Sequence, residues 1–591
     1  MTRLFDKSAK GSRSFGSVGP FGAAIVNIAM ALFVACSLWA CGRGISLDPS
    51  VSEPQLRSDG SHGLDAADDS STEGERGDAD ASVIRDDRKD APIETNEGAP
   101  DAVDETGDVR RGDNETGDAS PDGPIEADDG CTIACGGPAA DYYVDANASP
   151  GGDGSSLRPY RTITAAIDAF SGPQGEPKTV RLAPGTYDEA LGERFPLVLR
   201  GLSMVGAGQD KTFIVGSGDL DHATEGGAVN GQYRVTLVVG DRVLTTRISN
   251  VSVRPIAPIP ALNYHGIFCD RGSATGAVAA PAGLTVLDKI TAGPGYHATV
   301  LATTSTSPSA TGCNLQMTGS TLTGGWTGLY AAGCGRGIGI VPVVLDIGGS
   351  DWANGNTFSW MQLPDAGWGV LVQSCVTRGS FQFNSFTDDV MGFAVDQRDG
   401  PPTGKHPFTI KNNTFERISV GGFLLFGSPA FVDELTDNTF TQVTRSLAKD
   451  NGSPAPAIAS DLLALGKVRR NRFIGNDIGV QLGFLDTPGP PPDLGTPEDP
   501  GNNVFRCNSG LTGSGADLWI SGSSPTPETS WGGTIPLAGN SWDHVPPTVQ
   551  TSDTFADGSD VALTSAPNVS IDLGNATLAA SACPSNRVPG P

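Results

Sequence analysis

Asn-x-Phe occurs six times in a 591-residue chain, at Asn356 (NTF), Asn384 (NSF), Asn413 (NTF), Asn438 (NTF), Asn471 (NRF) and Asn503 (NVF), and returns with tryptophan at Asn540 (NSW). The steps between these asparagines are 28, 29, 25, 33, 32 and 37 residues. Stacked coils joined by loops of unequal length produce such steps, near one period without keeping it. Residues two apart on a strand point to the same side, so Phe358, Phe386, Phe415, Phe440, Phe473 and Phe505 are expected to stack inside, behind their asparagines. The asparagines are expected at bends, where they tolerate left-handed backbone and hydrogen-bond to those above and below.

A second element follows the motif, a glycine opening an apolar run: Gly369-Val-Leu-Val, Gly392-Phe-Ala-Val, Gly422-Phe-Leu-Leu and Gly479-Val-Gln-Leu. Weaker versions of the motif at Asn250, Lys289 and Ser320 extend the array over about residues 180–545, roughly ten to thirteen coils. A β-sandwich would need Asn-Gly hairpins between alternating strands, and these are scarce.

The formal net charge of −28 is concentrated in one segment. Residues 51–130 carry 25 Asp or Glu against 7 Lys or Arg, a balance of −18, with no aromatic residue. Such a segment cannot bury enough apolar surface to offset its ordering entropy, and it reads as a flexible tether. Its two Arg-Gly-Asp tripeptides, at Arg76 and Arg111, are coincidences of a Gly- and Asp-rich composition. No basic stripe with interleaved aromatics speaks for nucleic acid.

Ahead of the tether stand Arg3, Lys7, Lys10 and Arg13 and an apolar run from Phe21 to Trp39, the pattern of an export signal. Its end, Leu38-Trp39-Ala40-Cys41-Gly42, resembles the bacterial lipobox, which implies lipid attachment at Cys41. In the same resemblance, Gly42 and Arg43, with no Asp after the cysteine, point to the outer membrane. Removal of the signal leaves Cys131, Cys135, Cys269, Cys313, Cys334, Cys375, Cys507 and Cys583, an even number that suits disulfides in an oxidising compartment. Connectivity cannot be deduced from sequence. Neighbouring coils favour Cys131 with Cys135, Cys269 with Cys313, Cys334 with Cys375 and Cys507 with Cys583; metal binding at Cys131 and Cys135 is the weaker reading, for want of a second ligand pair.

Order is expected from near Tyr142. A short strand and a Gly/Ser/Asp turn precede an amphipathic helix bearing Ile163, Ala166, Ile167 and Phe170 on one face. Here Pro159-Tyr160-Arg161-Thr162-Ile163, then Leu182-Ala183-Pro184-Gly185-Thr186-Tyr187, then Gly192-Glu193-Arg194-Phe195-Pro196-Leu197 leading to Val205-Gly206-Ala207-Gly208, resemble the domain of unknown function that opens many exported pectin-lyase-like proteins. The resemblance covers about residues 141–220. It implies the capped first turns of an all-β, single-stranded, right-handed parallel β-helix with three sheets, and no established chemistry. The organisation expected is a lipoprotein signal at 1–40, a disordered acidic tether at 41–130, the cap and first turns at 141–220, β-helix repeats at 221–545, and a C-terminal cap or tail at 546–591.

Chemistry is harder to find. Galacturonan hydrolases of this superfamily carry clustered aspartates, a Gly-His-Gly and a downstream Arg-x-Lys; here Asp388-Asp389 follows Tyr264-His265-Gly266 in inverted order and the basic element is missing. Adjacent aspartates on a strand also point to opposite faces. Lyase chemistry would need a basic residue beside Ca²⁺-binding carboxylates, for which the best stretch is DQRDGPPTGKH, with Asp396, Arg398, Asp399, Lys405 and His406, read as a loop between coils. The remaining histidines lack metal-ligand spacing. Trp326, Tyr330, Trp352, Trp360 and Trp368 fall within 43 residues and are the candidates for stacking on sugar rings, against the alternative that they fill the interior.

These features lead to a lipid-anchored, exported surface protein whose β-helix binds polysaccharide, adheres or supports the envelope without catalysis. The alternative is a lyase or glycoside hydrolase acting on acidic polysaccharide. The expected partners are the membrane, through the lipid, and polysaccharide. No metal or cofactor is expected, except Ca²⁺ under the lyase alternative.

Overall fold

The computed structural model describes residues 141–580 apart from 171–177, 200, 220–232, 240–244, 257–262, 270–282, 296–297, 304–312, 333–342, 362–366, 374–375, 397–407, 427–431, 446–453, 462–464, 484–490, 509–514, 522–532, 552–558, 565 and 567. The expected signal, Cys41, the tether, Cys131 and Cys135 therefore lie outside the described residues, as do Cys334, Cys375 and Cys583.

One coil shows the plan. Phe408–Lys411 forms a strand on a first face, Thr414–Glu416 on a second and Gly421–Phe426 on a third. The chain then crosses to Val432–Thr436, which pairs in parallel with Phe408–Lys411. Repetition gives a parallel β-helix of the right-handed kind, the hand that parallel crossovers take. Pairing on the second face runs from Gly185–Asp188 to Thr577–Leu578, so the coils continue past residue 545. Among the described strands one pairing is antiparallel, between Gly218–Asp219 and Tyr233–Val239.

From Asn384 onward the bend between the first two faces is made by the residue before the ladder asparagine. Phe383, Asn412, Asp437, Arg470 and Asn502 have φ of 58°, 56°, 58°, 56° and 51°. The ladder asparagines are not themselves left-handed, contrary to expectation. The left-handed residue swings the chain so that the next side chain enters the corner, and there an amide is needed. Asn413 Nδ2 donates to Asn438 Oδ1 at 3.0 Å and to the Phe381 carbonyl at 2.9 Å, while its backbone N–H donates to the same Asn438 Oδ1 at 2.9 Å. The Nδ2-to-Oδ1 step recurs from Asn356 to Asn540 at 2.9–3.1 Å. Both amide protons and the oxygen of a buried group are thus used.

This register also corrects two of the weaker motifs. Ser320 occupies the ladder column and its N–H donates to Asn356 Oδ1 at 3.0 Å. Asn250 and Lys289, with φ of 58° and 53°, occupy the bend instead, one position early, and Val251 and Ile290 stand in the column.

Two residues on, the aromatics stack as expected. Phe358, Phe386, Phe415, Phe440, Phe473, Phe505 and Trp542 follow one another at 4.5–5.2 Å between ring centres with planes within 13°. The glycine that opens the third face answers to this stack. A Cβ on Gly392 would lie 2.7 Å from Phe415 Cδ1 and 2.5 Å from the Gly422 carbonyl, and Gly369 and Gly422 are similarly confined by Phe386 and Phe440. The rings press edge-on against bare backbone, which is why the two sequence elements travel together.

The N-terminal motif is structural. The helix Ile163–Ala169 is capped by Thr162, and the buried Glu193 carboxylate accepts from the Ile163 N–H at 2.6 Å, the Thr164 N–H at 2.8 Å and Thr164 Oγ1 at 2.7 Å. Tyr187 donates from its hydroxyl to the Ala183 carbonyl at 2.9 Å, or alternatively to that of Val144 at 3.2 Å. PYRTI, LAPGTY and GERFPL therefore meet to close the end of the helix. Cys269 and Cys313 form the expected disulfide, with 6.1 Å between Cα atoms. Cys507 is also disulfide-bonded.

Candidate functional site

The outer sides of the faces differ in character. On the third face a second apolar layer lies outside the interior: Trp368, Leu371, Val390, Met391, Ala394 and Leu424 are buried together, with Trp326 and Tyr330 packed against them. Three of the five aromatic candidates therefore belong to this layer. Trp352 and Trp360 are 53% and 58% exposed. Trp360 sits at a left-handed bend, φ 61°, and Trp352 packs edge-on against Phe383 with ring centres 5.6 Å apart. A single ladder of five outward rings is not formed, since alternation on a strand cannot reveal that its outer side is covered too.

The two aspartates of FTDDV part company. Asp388 lies at a left-handed bend and receives both arms of Arg417, at 2.7 and 2.9 Å, which holds its carboxyl below the usual range. Asp389 is buried, accepts the Met361 N–H through Oδ1 at 3.0 Å, and has no donor at Oδ2. Burial pushes its carboxyl well above the ordinary value. It occupies the column in which, on later coils, Asn476 accepts the Val443 N–H at 2.9 Å and donates to the Phe440 carbonyl at 3.1 Å. Asp389 is thus an asparagine-like bend residue in the scaffold. His265 is wholly buried, its Nδ1 3.1 Å from the Ala298 carbonyl. Arg398, Asp399, Lys405 and His406 lie outside the described residues.

The first face is polar outside, and here the surface opens. Successive coils align Arg247, Val286, Gln316, Asp346, Ser380, Thr409, Glu434 and Lys467 in one outward row. A cleft of about 430 Å³ lies along it, lined by Leu284, Gln316, Val344, Asp346, Arg378 and Ser380 among others. Gln316 Nε2 donates to Asp346 Oδ2 at 3.1 Å. The register slips between Val343 and Val344, so that Val344 faces Arg378. Such a bulge re-aims the side chain that follows it, here the exposed Arg378 guanidinium at the cleft. At about 3.3 Å per residue, Phe383 and with it Trp352 lie roughly 10 Å along the strand from Ser380. The cleft thus joins hydroxyl, amide, carboxylate and guanidinium groups from successive coils, about 4.8 Å apart, over an apolar floor, with an exposed indole to one side. Sequence reading missed these residues. Gln, Ser and Thr on a strand carry no signal until register sets them in a row.

A family described as a protein of unknown function (DUF1565) matches residues 147–254 and 404–549, together less than half of the chain. The first stretch holds the cap; the second holds four of the Asn-x-Phe coils. The described strands form a parallel β-helix. Among solved structures it is similar to pectin methylesterase PemA from Erwinia chrysanthemi, at 11% identity over 53% of this chain and 94% of that one, with a TM-score of 0.28. It is also similar to a mutant of the periplasmic alginate epimerase AlgG, at 10% identity, 68% and 77% coverage and a TM-score of 0.31. The A-module of mannuronan C-5 epimerase AlgE6 from Azotobacter vinelandii gives 12%, 70% and 92%, and 0.25. No curated protein matches the chain.

Proposed function

We propose that this is an exported, lipid-anchored surface protein whose β-helix holds an extended polysaccharide along the outer side of its first face without cleaving it. The observation that carries the reading is the cleft beside Arg378 and Asp346, set in a mostly polar row with one side chain from each coil. A linear polymer of similar units can meet such a row unit by unit, with each contact weak and the sum useful. Arg378 adds a preference for glycans bearing carboxylates, to which a guanidinium donates in a fork. Trp352 offers an apolar ring for a sugar face. The disulfide Cys269–Cys313 is in keeping with an oxidising compartment, and the lipobox-like Leu38–Gly42 supplies the anchor.

The test is retention of uronans and neutral glycans by the purified protein, with product analysis alongside. Saturable retention of acidic glycans with no new chain ends is expected, weakened about tenfold or more by Arg378→Ala and by Trp352→Ala. New reducing ends or unsaturated products would replace this reading with an enzymatic one. Retention equal in Arg378→Ala and the parent would remove the cleft from it.

A further inference from the structure

At the corner between the second and third faces, far along the coil stack from the cleft, three carboxylates converge. Asp517, Asp543 and Asp560 each bring an oxygen within 4.8 Å of the others. Asp517 and Asp560 are 2% and 1% exposed. They stand opposite each other on neighbouring strands, between the paired Ala516–Ser559 and Leu518–Val561, in the column that earlier coils fill with Gly369, Gly392, Gly422, Ala457 and Gly479. A column of glycine and alanine thus ends in two buried acids.

Each acid is held by a different group. Asp543 accepts from Arg506 Nη1 at 2.7 Å and from the Cys507 N–H at 2.8 Å. Asp560 Oδ2 accepts from the Thr548 N–H at 2.6 Å and from Thr548 Oγ1 at 2.8 Å, and faces His544 Nδ1 at 3.0 Å. Asp517 Oδ1 accepts from Asn508 Nδ2 at 2.9 Å, where the second asparagine ladder ends. Its Oδ2 receives no donor, although it is completely enclosed. A buried carboxylate oxygen without a partner destabilises the fold unless a cation or proton meets it. Burial, with Asp543 and Asp560 adding their charge, pushes the Asp517 carboxyl well up.

We infer that Asp517, Asp543 and Asp560 form a divalent-cation site, for Ca²⁺ by its all-oxygen, carboxylate-rich donors, that fastens the last coils of the β-helix. Oxygen ligands oriented by partners behind them are the arrangement that hard cations take. Two features set the site apart from the polar row of the first face: it is enclosed, and it offers carboxylates in place of hydroxyls. Since the cation binds the folded chain and not the separated residues, it raises stability with concentration.

The experiment uses the full chain, stripped with chelator, near neutral pH. Thermal unfolding is followed with and without about millimolar Ca²⁺, and Tb³⁺ binding by luminescence sensitised through Trp519 and Trp542, which flank the acids in sequence. A rise of several degrees with Ca²⁺, a Tb³⁺ signal displaced by Ca²⁺, and at least tenfold weaker binding in Asp517→Asn and Asp543→Asn are expected. Asp543, part-exposed, serves if Asp517→Asn does not fold, and the parent protein is measured in either case. Equal unfolding in Ca²⁺ and chelator with no displaceable Tb³⁺ signal overturns the inference, leaving a proton shared between Asp517 and Asp560. Binding unchanged in both variants overturns it as well.

Discussion

At the scale of the residue, the buried amide and the buried acid behave oppositely in the same kind of position. Asn476 uses its oxygen and both amide protons; Asp389, in the equivalent column, has an oxygen with nothing to accept. Asp389→Asn is therefore expected to stabilise the protein by about 1–3 kcal/mol in urea unfolding. The pH dependence follows from the raised carboxyl. The folded state keeps its proton to higher pH than the unfolded state, so the contribution of Asp389 is fully present below the ordinary aspartate value near 3.8 and is lost as pH rises through the folded value. The difference between parent and Asp389→Asn should accordingly widen from acid toward neutral pH. A difference constant over that range would mean that Asp389 is ionised in the fold. Glu193 is raised by burial in the same direction, and comparison with the variant removes its share.

At the scale of the element, the unit is a coil in which bend, ladder, ring and glycine depend on one another. Phe415→Ala should cost about 3–5 kcal/mol, since the ring is fully buried between Phe386 and Phe440. Gly392→Ala should cost about 1–3 kcal/mol by forcing a methyl against Phe415 and the Gly422 carbonyl. Because the two changes meet at one contact, Gly392→Ala with Phe415→Leu should cost less than the sum of the separate changes in a double-mutant cycle. Strict additivity would show that glycine is kept at that position for its backbone alone.

The asparagines, the phenylalanines and the glycines were legible in the sequence as a repeat, since each is an unusual residue at a fixed offset. The bend residue was not. Phe383, Asn412, Asp437 and Arg470 share a backbone angle and no side-chain chemistry, so no composition marks them. The cleft was hidden for a related reason: Gln316, Asp346 and Ser380 lie 30 or more residues apart, and only pairing of their strands aligns them.

At the scale of the whole molecule, the chain divides labour along its length. The proposed anchor and tether precede a β-helix that presents a covered apolar side and an open polar one. Among the described residues no helix is long and apolar enough to cross a membrane. The lipid proposed at Cys41 has its own test: Cys41→Ala should move the protein from the membrane fraction to the soluble one and abolish labelling by a fatty-acid probe. Unchanged labelling would exclude the lipid at that cysteine. The Cys269–Cys313 bridge closes a loop of 44 residues between coils, and its removal by paired serines should cost about 2–4 kcal/mol.

By itself the sequence determined the β-helix, its stacked interior and its capped N-terminal end, because repetition at a fixed offset and paired motifs are local signals that survive without coordinates. The tertiary structure alone decided which face is open, that three of the five aromatic candidates are covered, that Asp388 and Asp389 serve the scaffold, and that Asp517, Asp543 and Asp560 meet. Those outcomes depend on register between coils: residues about 30 positions apart come within about 5 Å, and which side chains then share a surface is set by loop lengths that the repeat does not encode.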